Sequence, residues 1–571
     1  MSEHQHGNTE PSPSGGCEAW NASWRSRFWG ELASDEHPVW DLIIIGGGIT
    51  GAGIMREAVR MGLKVLLVEQ RDFSWGTSSR SSKLVHGGLR YLKEGHIMLT
   101  RDAIHERQRL LKESQTLVQP LKFLISNYKG QKPGKWTFRA GLTLYDLLAA
   151  KMDHEVFDAE TFKMMVPHLD PEGLQGGLRY DDAQTDDSRL VLRLVFESMA
   201  LGGSALNYVR AEKPFFEDDR VAGVVLHDLI HGGSARLRAR VVVNATGAWA
   251  DHLRRTEEKR LRPLRGSHLV FPAWRLPAPQ AMTILHPRDR RPVFLLPWEG
   301  ASVLGTTDVD HRQDLDEEAS VTADEVDYLM EVVQARFPRL NLTVDDVIAS
   351  WSGVRPVISH GAKDPSKESR DHAIWDENGL LTITGGKLTT FRKMAFDLLQ
   401  KAKKYLGDDV HIDKHPPVFR QDEPDWKALP PLEAPIRNRL LGRYGLAAGA
   451  LIRCAGPDEL RTIPGTETLW VELRWTARSE QVAHLDDLLL RRTRIGLLLA
   501  EGGRDILPRI REIVQIELDW DDARWEKEEA AYLEIWRRHY SLPPEMIERA
   551  ASDEATEPED REATPPVVPH E

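Results

Sequence analysis

Residues 41–69 read DLIIIGGGITGAGIMREAVRMGLKVLLVE, a strand, a turn, a helix and a second strand in unbroken succession. Residues 42–45 form an apolar run suited to a parallel strand covered on both faces. Gly46, Gly48 and Gly51 follow it in G-x-G-x-x-G spacing. The first permits a tight turn, the second lets backbone approach a pyrophosphate, and the third lets the helix pack closely, its N-terminus towards the phosphates. Residues 63–68 give the next strand, and Glu69 ends it about 20 residues downstream, where a carboxylate accepts from a ribose hydroxyl and repels a 2′-phosphate. With strand, helix, second strand and terminal acid all present, the stretch specifies a dinucleotide site rather than a bare glycine turn.

The chain has 571 residues, enough for two or three domains with separate cores. A formal net charge of -13 argues against nucleic acid as a partner, so an anionic substrate must find a local cationic pocket. Cys17 and Cys454 are too few for a disulfide framework and too far apart for a metal pair, which fits a reducing compartment and no metal site. The N-terminus lacks a signal-peptide core, and no run reaches the length of a membrane span. A soluble or peripheral protein is expected.

Residues 1–16 are polar and rich in Gly, Pro and Ser, as in a disordered segment. Trp20, Trp24 and Phe28 then recur at i, i+4, with Trp29 and Leu32 on the neighbouring face, so a short docking helix is expected. After the first βαβ unit comes RDFSWGTSSRSSKLVHGGLRYL, a cofactor-wrapping loop, and then an amphipathic helix over about 96–118. Lys129, Lys132, Lys135, Trp136 and Arg139 form an acid-free basic patch that suits anionic lipid, or equally a solvated loop before a helix near 142–151. Residues 176–240 suit a mixed sheet with a helix around 188–201.

Residues 241–247, VVVNATG, predict another parallel strand ending in a glycine turn. GSHLVFP, RPVFLLPW and ASVLGTTD predict a substrate-facing sheet, and LLTITGGKLTTFRKMA repeats the strand, double-Gly, helix logic with Gly385, Gly386 and Lys387 at the helix start. Beyond about residue 404, Leu485, Leu488, Leu489, Arg492 and Ile495 continue a helical stripe, and residues 551–571 form an acidic, Pro-rich tail expected to be disordered.

GGGITGAG, TSSRSSKLVHGGLRYL, VVNATGAW, GSHLVFP, VLGTTD, WSGVRP and GGKLTTFRKMA, in that order, resemble the FAD-dependent (aerobic) glycerol-3-phosphate dehydrogenases. The resemblance covers residues 41–395 closely and continues more weakly through HLDDLLLRRTRIGLLL. It implies an α/β fold with a glutathione-reductase-like FAD-binding Rossmann domain, a D-amino-acid-oxidase-like mixed-sheet substrate domain and a C-terminal helical domain. The expected division is a partly disordered extension over 1–38; an FAD domain over 39–120, 176–255 and 341–404; a substrate domain over 121–175 and 256–340; a helical domain over 405–550; and the tail. The family oxidises sn-glycerol 3-phosphate to dihydroxyacetone phosphate and passes electrons to quinone, which implies a cytoplasmic enzyme held peripherally at the inner face of a membrane, with a homodimer as one permitted assembly.

By the same resemblance, Gly46, Gly48, Gly51, Glu69, Thr77, Ser78, Ser82, Gly247, Gly353, Gly386, Lys387, Leu388 and Thr389 hold noncovalent FAD, and Arg90, Tyr91, Arg355, Arg370 and Thr390 hold the substrate. Removing a hydride from a carbinol needs an acceptor, a base for the hydroxyl proton and positive charge near the flavin. Lys387 and its helix start supply the charge, and Arg355, in a stiff Gly-Val-Arg-Pro turn, suits bidentate phosphate binding. His86, before Gly87 and Gly88, is the candidate base, with His268 as its rival. An FAD-dependent amine or amino-acid oxidase, an oxygen-using glycerol-3-phosphate oxidase and an idle flavin-binding protein remain as alternatives.

Overall fold

The computed structural model describes residues 20–34, 38–89, 97–132, 134–149, 153–359, 371–407 and 410–549. Both segments expected to be disordered, 1–16 and 551–571, lie outside them. Among the described residues the strands form two sheets.

Trp40–Ile45 lies inside the first sheet, with Leu42 aligned to Val65 on one flank and to Val241 on the other, both parallel. The order is His372–Glu377, Leu380–Gly385, Ser234–Asn244, Trp40–Ile45, Val65–Val68 and Ser204–Leu206. Side chains alternate between two cores. Leu42 and Ile44 pack with the helices Ile49–Arg60, Asp187–Met199 and Phe391–Leu406, whereas Ile43 and Ile45 pack with Trp29, Leu32, Val224 and Leu226. The docking helix forms over Ala22–Leu32. Asn21 caps it by accepting the Trp24 N–H at 3.0 Å, and buried Arg25 pairs with Asp228 at 2.8 Å.

The second sheet runs Val309–Asp310, Leu261–Pro272, Ala301–Gly305, Pro292–Trp298, Ala281–Leu285, Val118–Tyr128, Leu174–Thr185 and Glu155–Phe157, with Ala349–Ile358 also on Leu261–Pro272. Leu174–Thr185 and Ala349–Ile358 thus pair within this sheet, although their sequence positions fall mostly in stretches expected to belong to the nucleotide fold. The strand before each belongs to the second sheet and the strand after it to the first, so the chain crosses between the sheets after these two strands.

Three elements differ from expectation. The helix expected over 96–118 is Ile97–Glu113, because Gln115 and Thr116 turn to φ +50° and +77° and the chain enters a strand at Val118. The helix expected near 142–151 begins at Lys135, which puts Trp136 and Arg139 on a helix. The stripe through Leu485, Leu488 and Leu489 is buried, but Asp487–Arg492 winds as a π-helix and Arg494 reverses to φ +66° before Ile495–Leu498. The wider winding lets consecutive guanidiniums reach one carboxylate: Arg491 Nε and Arg492 Nη1 each donate to Asp72 at 2.6 Å.

That contact belongs to a buried ionic web between the C-terminal helices and the nucleotide fold. Asp187 accepts from Lys83 at 2.9 Å and Arg494 at 2.8 Å, and Asp186 pairs with Arg443 at 3.0 Å. Although burial works against its ionised form, the Asp72 carboxyl is held down to about 2 by Arg492 and Arg491. A carboxyl depressed on folding adds stability above its unfolded value, and loses it as pH falls through the folded value. Asp72 therefore stabilises the fold at neutral pH, with its contribution disappearing between about pH 4 and pH 2. Asp72→Asn strands part of two buried guanidiniums and should cost about 3 kcal/mol in urea unfolding at pH 7, with the gap from wild type closing at pH 2 to 3. A gap independent of pH would show that Asp72 acts by packing alone.

Candidate functional site

The glycine turn is shaped by contact with its own fold. Gly46 sits at φ +115°, and a Cβ there would lie 2.5 Å from the Ala245 carbonyl oxygen, while one on Gly51 would lie 1.9 Å from the Gly46 oxygen. Gly48, at the helix N-terminus, has no such backbone neighbour; its nearest is Ser78 Oγ at 3.1 Å. That oxygen accepts the Ile49 N–H at 2.9 Å, tying the following loop to the helix start. Glu69 accepts from the Gly47 and Arg71 N–H groups at 2.7 and 2.9 Å, and burial raises its carboxyl against the pull of those donors.

A cavity of about 1680 Å³ runs from Glu69 and Arg210 past Gly46, Gly48 and Ile49, along residues 75–82, to residues 385–388. It continues over the second sheet between Phe123, Tyr180, Thr283 and Phe294. Glycine turns and a helix N-terminus that donate, and a terminal carboxylate that accepts, lie along one trough as an FAD requires, so the residues present fit it. Thr77 donates to the Val354 carbonyl, and a Cβ on Gly353 would lie 2.4 Å from the Arg80 oxygen, so this loop sits directly on the Ala349–Ile358 strand. Gly247, at φ +60°, receives the Thr384 hydroxyl at 3.1 Å.

His86, Arg355 and Lys387 come from three separate segments and share the cavity wall. The His86 carbonyl accepts the Thr389 hydroxyl at 3.1 Å, and the next N–H, of Gly87, donates to Asp182 at 3.0 Å. Asp182 is also held by Arg107 at 2.9 Å, and Arg107 by the Tyr145 hydroxyl at 2.7 Å. Burial raises the Asp182 carboxyl, opposed by Arg107. Arg355 reaches Asp308 at 3.2 Å and the Thr306 hydroxyl at 3.0 Å.

The structure sets some expected residues apart. Thr390 donates to the Lys387 carbonyl at 3.4 Å and is buried at the helix start, away from the cavity wall, as is Thr389. Gly51 serves helix packing. Arg90, Tyr91 and Arg370 lie outside the described residues. Sequence reasoning missed Asp182, Arg107 and Tyr145, which lie on a strand and two helices with no local signal; Asp308, within VLGTTD, had one.

Residues 41–392 match the model of the FAD dependent oxidoreductase family, and residues 381–525 that of the C-terminal domain of alpha-glycerophosphate oxidase. The aerobic glycerol-3-phosphate dehydrogenase of Staphylococcus haemolyticus is 34% identical over 483 residues, 80% of this chain and 86% of that protein. Its counterpart in Staphylococcus aureus strain USA300 is 34% identical over 490 residues, 81% and 87% of the two chains. The solved glycerol-3-phosphate dehydrogenase of Bacillus halodurans complexed with FAD superposes with a TM-score of 0.71 at 27% identity, over 90% of this chain and 98% of that one.

Two glycines give a direct check on the site's packing. A Cβ on Gly87 would lie 2.0 Å from the Tyr145 hydroxyl, whereas one on Gly247 would meet nothing within 4 Å among the described residues. Gly87→Ala should cost about 1 to 3 kcal/mol by overpacking, and Gly247→Ala about 1 kcal/mol from its positive φ alone. Urea titrations in which Gly87→Ala is the milder change would refute the close contact.

Proposed function

This chain belongs to the FAD-dependent oxidoreductases, within the aerobic glycerol-3-phosphate dehydrogenase family, and on that premise we propose that it oxidises sn-glycerol 3-phosphate to dihydroxyacetone phosphate. Bound FAD supplies the acceptor for the hydride leaving the carbinol carbon. The observation that carries the reading is that His86, Arg355 and Lys387 line the same cavity as the nucleotide trough.

Arg355 binds the phosphate. Its guanidinium is aimed by Asp308 and Thr306, and a Cβ on Gly266 would lie 2.3 Å from its Nη2, so the strand beneath leaves room for that orientation only with glycine. Lys387 places a cation at the start of the Leu388–Thr390 turn, and such a charge opposes the helix dipole unless an anion lies close. His86 takes the hydroxyl proton, its backbone fixed on both sides by Thr389 and Asp182. An amino-acid oxidase would need a carboxylate clamp but not this cluster of cations.

Quinone access and membrane contact belong to the same reading. No helix among the described residues is long and apolar enough to cross a membrane. The Lys135–Ala149 helix exposes Trp136 (76%) and Leu147 (66%), and Ile97 and Met98 are also exposed on the helix that Tyr145 touches through Arg107. Leu99, Phe138, Gly141 and Leu144 line the cavity, so an apolar passage leads inwards from this surface. A peripheral protein drawing quinone from the bilayer fits both features.

Two experiments test this. In anaerobic stopped-flow with glycerol 3-phosphate, His86→Ala should slow flavin reduction 10²- to 10⁴-fold with FAD retained, and Arg355→Ala should weaken substrate binding by tens- to a hundredfold. Bleaching by amino acids instead would replace the substrate assignment. In liposome flotation, changing Lys129, Lys132 and Lys135 to Glu should lower binding to anionic vesicles by about two orders of magnitude, at roughly 1 kcal/mol per cation. Unchanged flotation would remove this face from the membrane contact.

A further inference from the structure

His268 lies on the Leu261–Pro272 strand and is 1% exposed. Its ring stacks on Trp351 at 5.0 Å and 20°, and Gly305 covers it so closely that a Cβ there would lie 2.2 Å from Cδ2. Nε2 sits 2.8 Å from Ser82 Oγ, and Nδ1 is buried with no hydrogen-bond partner among the described residues. Burial pushes the imidazole well below its ordinary value, and Arg355 and Lys83 push the same way, the Lys83 ammonium lying 4.5 Å from the Trp351 ring centre. The ring is therefore neutral at physiological pH and holds an added proton poorly.

A neutral imidazole carries one N–H. Placed on Nδ1, that hydrogen would be an orphaned buried donor, which folded proteins avoid more strictly than an under-used acceptor. Placed on Nε2, it meets Ser82 Oγ and leaves only a lone pair unmet. Ser82 lines the cavity along the loop at the centre of the trough. Once its oxygen accepts from His268, its own hydrogen has to point elsewhere.

We propose that His268 donates its Nε2 hydrogen to Ser82, and that Ser82 in turn presents its hydroxyl hydrogen to the flavin as a fixed donor. His268 is then a positioning residue. The inference rests on the FAD reading above and adds a role for this pair. A donor held in place favours the more electron-rich, reduced cofactor, so its loss lowers the midpoint potential.

The test is the midpoint potential of the FAD-bound protein, read by dye-linked anaerobic titration. Ser82→Ala should favour oxidised over reduced flavin about tenfold, a shift of about 30 mV for a two-electron couple. His268→Phe, which keeps the ring stacked on Trp351, should give a similar shift, and the double variant no more than either alone, because the two act as one unit. His268→Gln, whose amide N–H can replace the ring donor, should restore most of it. Shifts that add in the double variant, or a wild-type potential in both single variants, would overturn this inference while leaving the oxidation of glycerol 3-phosphate intact. A wild-type protein that binds no FAD would overturn both.

Discussion

The Asp187 carboxylate is the constraint on which the rest of the site depends. It is fully buried, and it accepts from Lys83, from Arg494, and from the Ser81 hydroxyl and N–H. A charge removed from water this completely persists only when its partners are fixed, and removing any of them leaves the others uncompensated. Those partners come from the loop that carries Ser79, Ser81 and Lys83 and from the C-terminal helices. The loop's shape is thus set in part by a residue 415 positions later in the chain. Arg494 and Lys83 both also donate to the Ser79 carbonyl, so the loop is held by its backbone as well as by its side chains.

Seen this way, the C-terminal helices support the cofactor trough. Asp72, just beyond Glu69, receives Arg491 and Arg492, and Asp186 receives Arg443, so two further points of the nucleotide fold are tied to the same helices. The same burial tunes individual groups. It lowers the Lys83 ammonium to about 7, with neighbouring Arg494 acting in the same direction and Asp187 opposing both. Lys83 persists there because Asp187 and the Ser79 carbonyl satisfy it and Trp351 offers its ring face.

Two histidines of the same cavity region show how environment separates chemically equal side chains. His86 lies in a glycine-flanked loop whose backbone is clamped from two sides, and its ring belongs to the cavity wall. His268 lies in the middle of a sheet, between Trp351 and Gly305, where burial and the nearby Arg355 and Lys83 disfavour its protonated form. Of the two, only His86 lines the cavity.

The sequence by itself determined the elements whose signals are local. An apolar run followed by Gly46, Gly48 and Gly51 needs no distant partner to specify a strand, a turn and a helix, and Glu69 ends its own strand. The parallel runs at 241–243 and 380–385 were legible for the same reason, as was the succession of motifs that marks the family. What only the tertiary structure decided are pairings between residues far apart in the chain. Lys83 and Arg494 meet Asp187 across 104 and 307 residues, and Arg107 meets Tyr145 and Asp182 across 38 and 75. Period-2 and period-3.6 patterns record which face of an element is buried, but a charge's partner depends on which elements the chain brings together. That is why Arg492 reads as part of a helical stripe, and why the π-turn aiming it and Arg491 at Asp72 appears only once the two halves of the fold are packed.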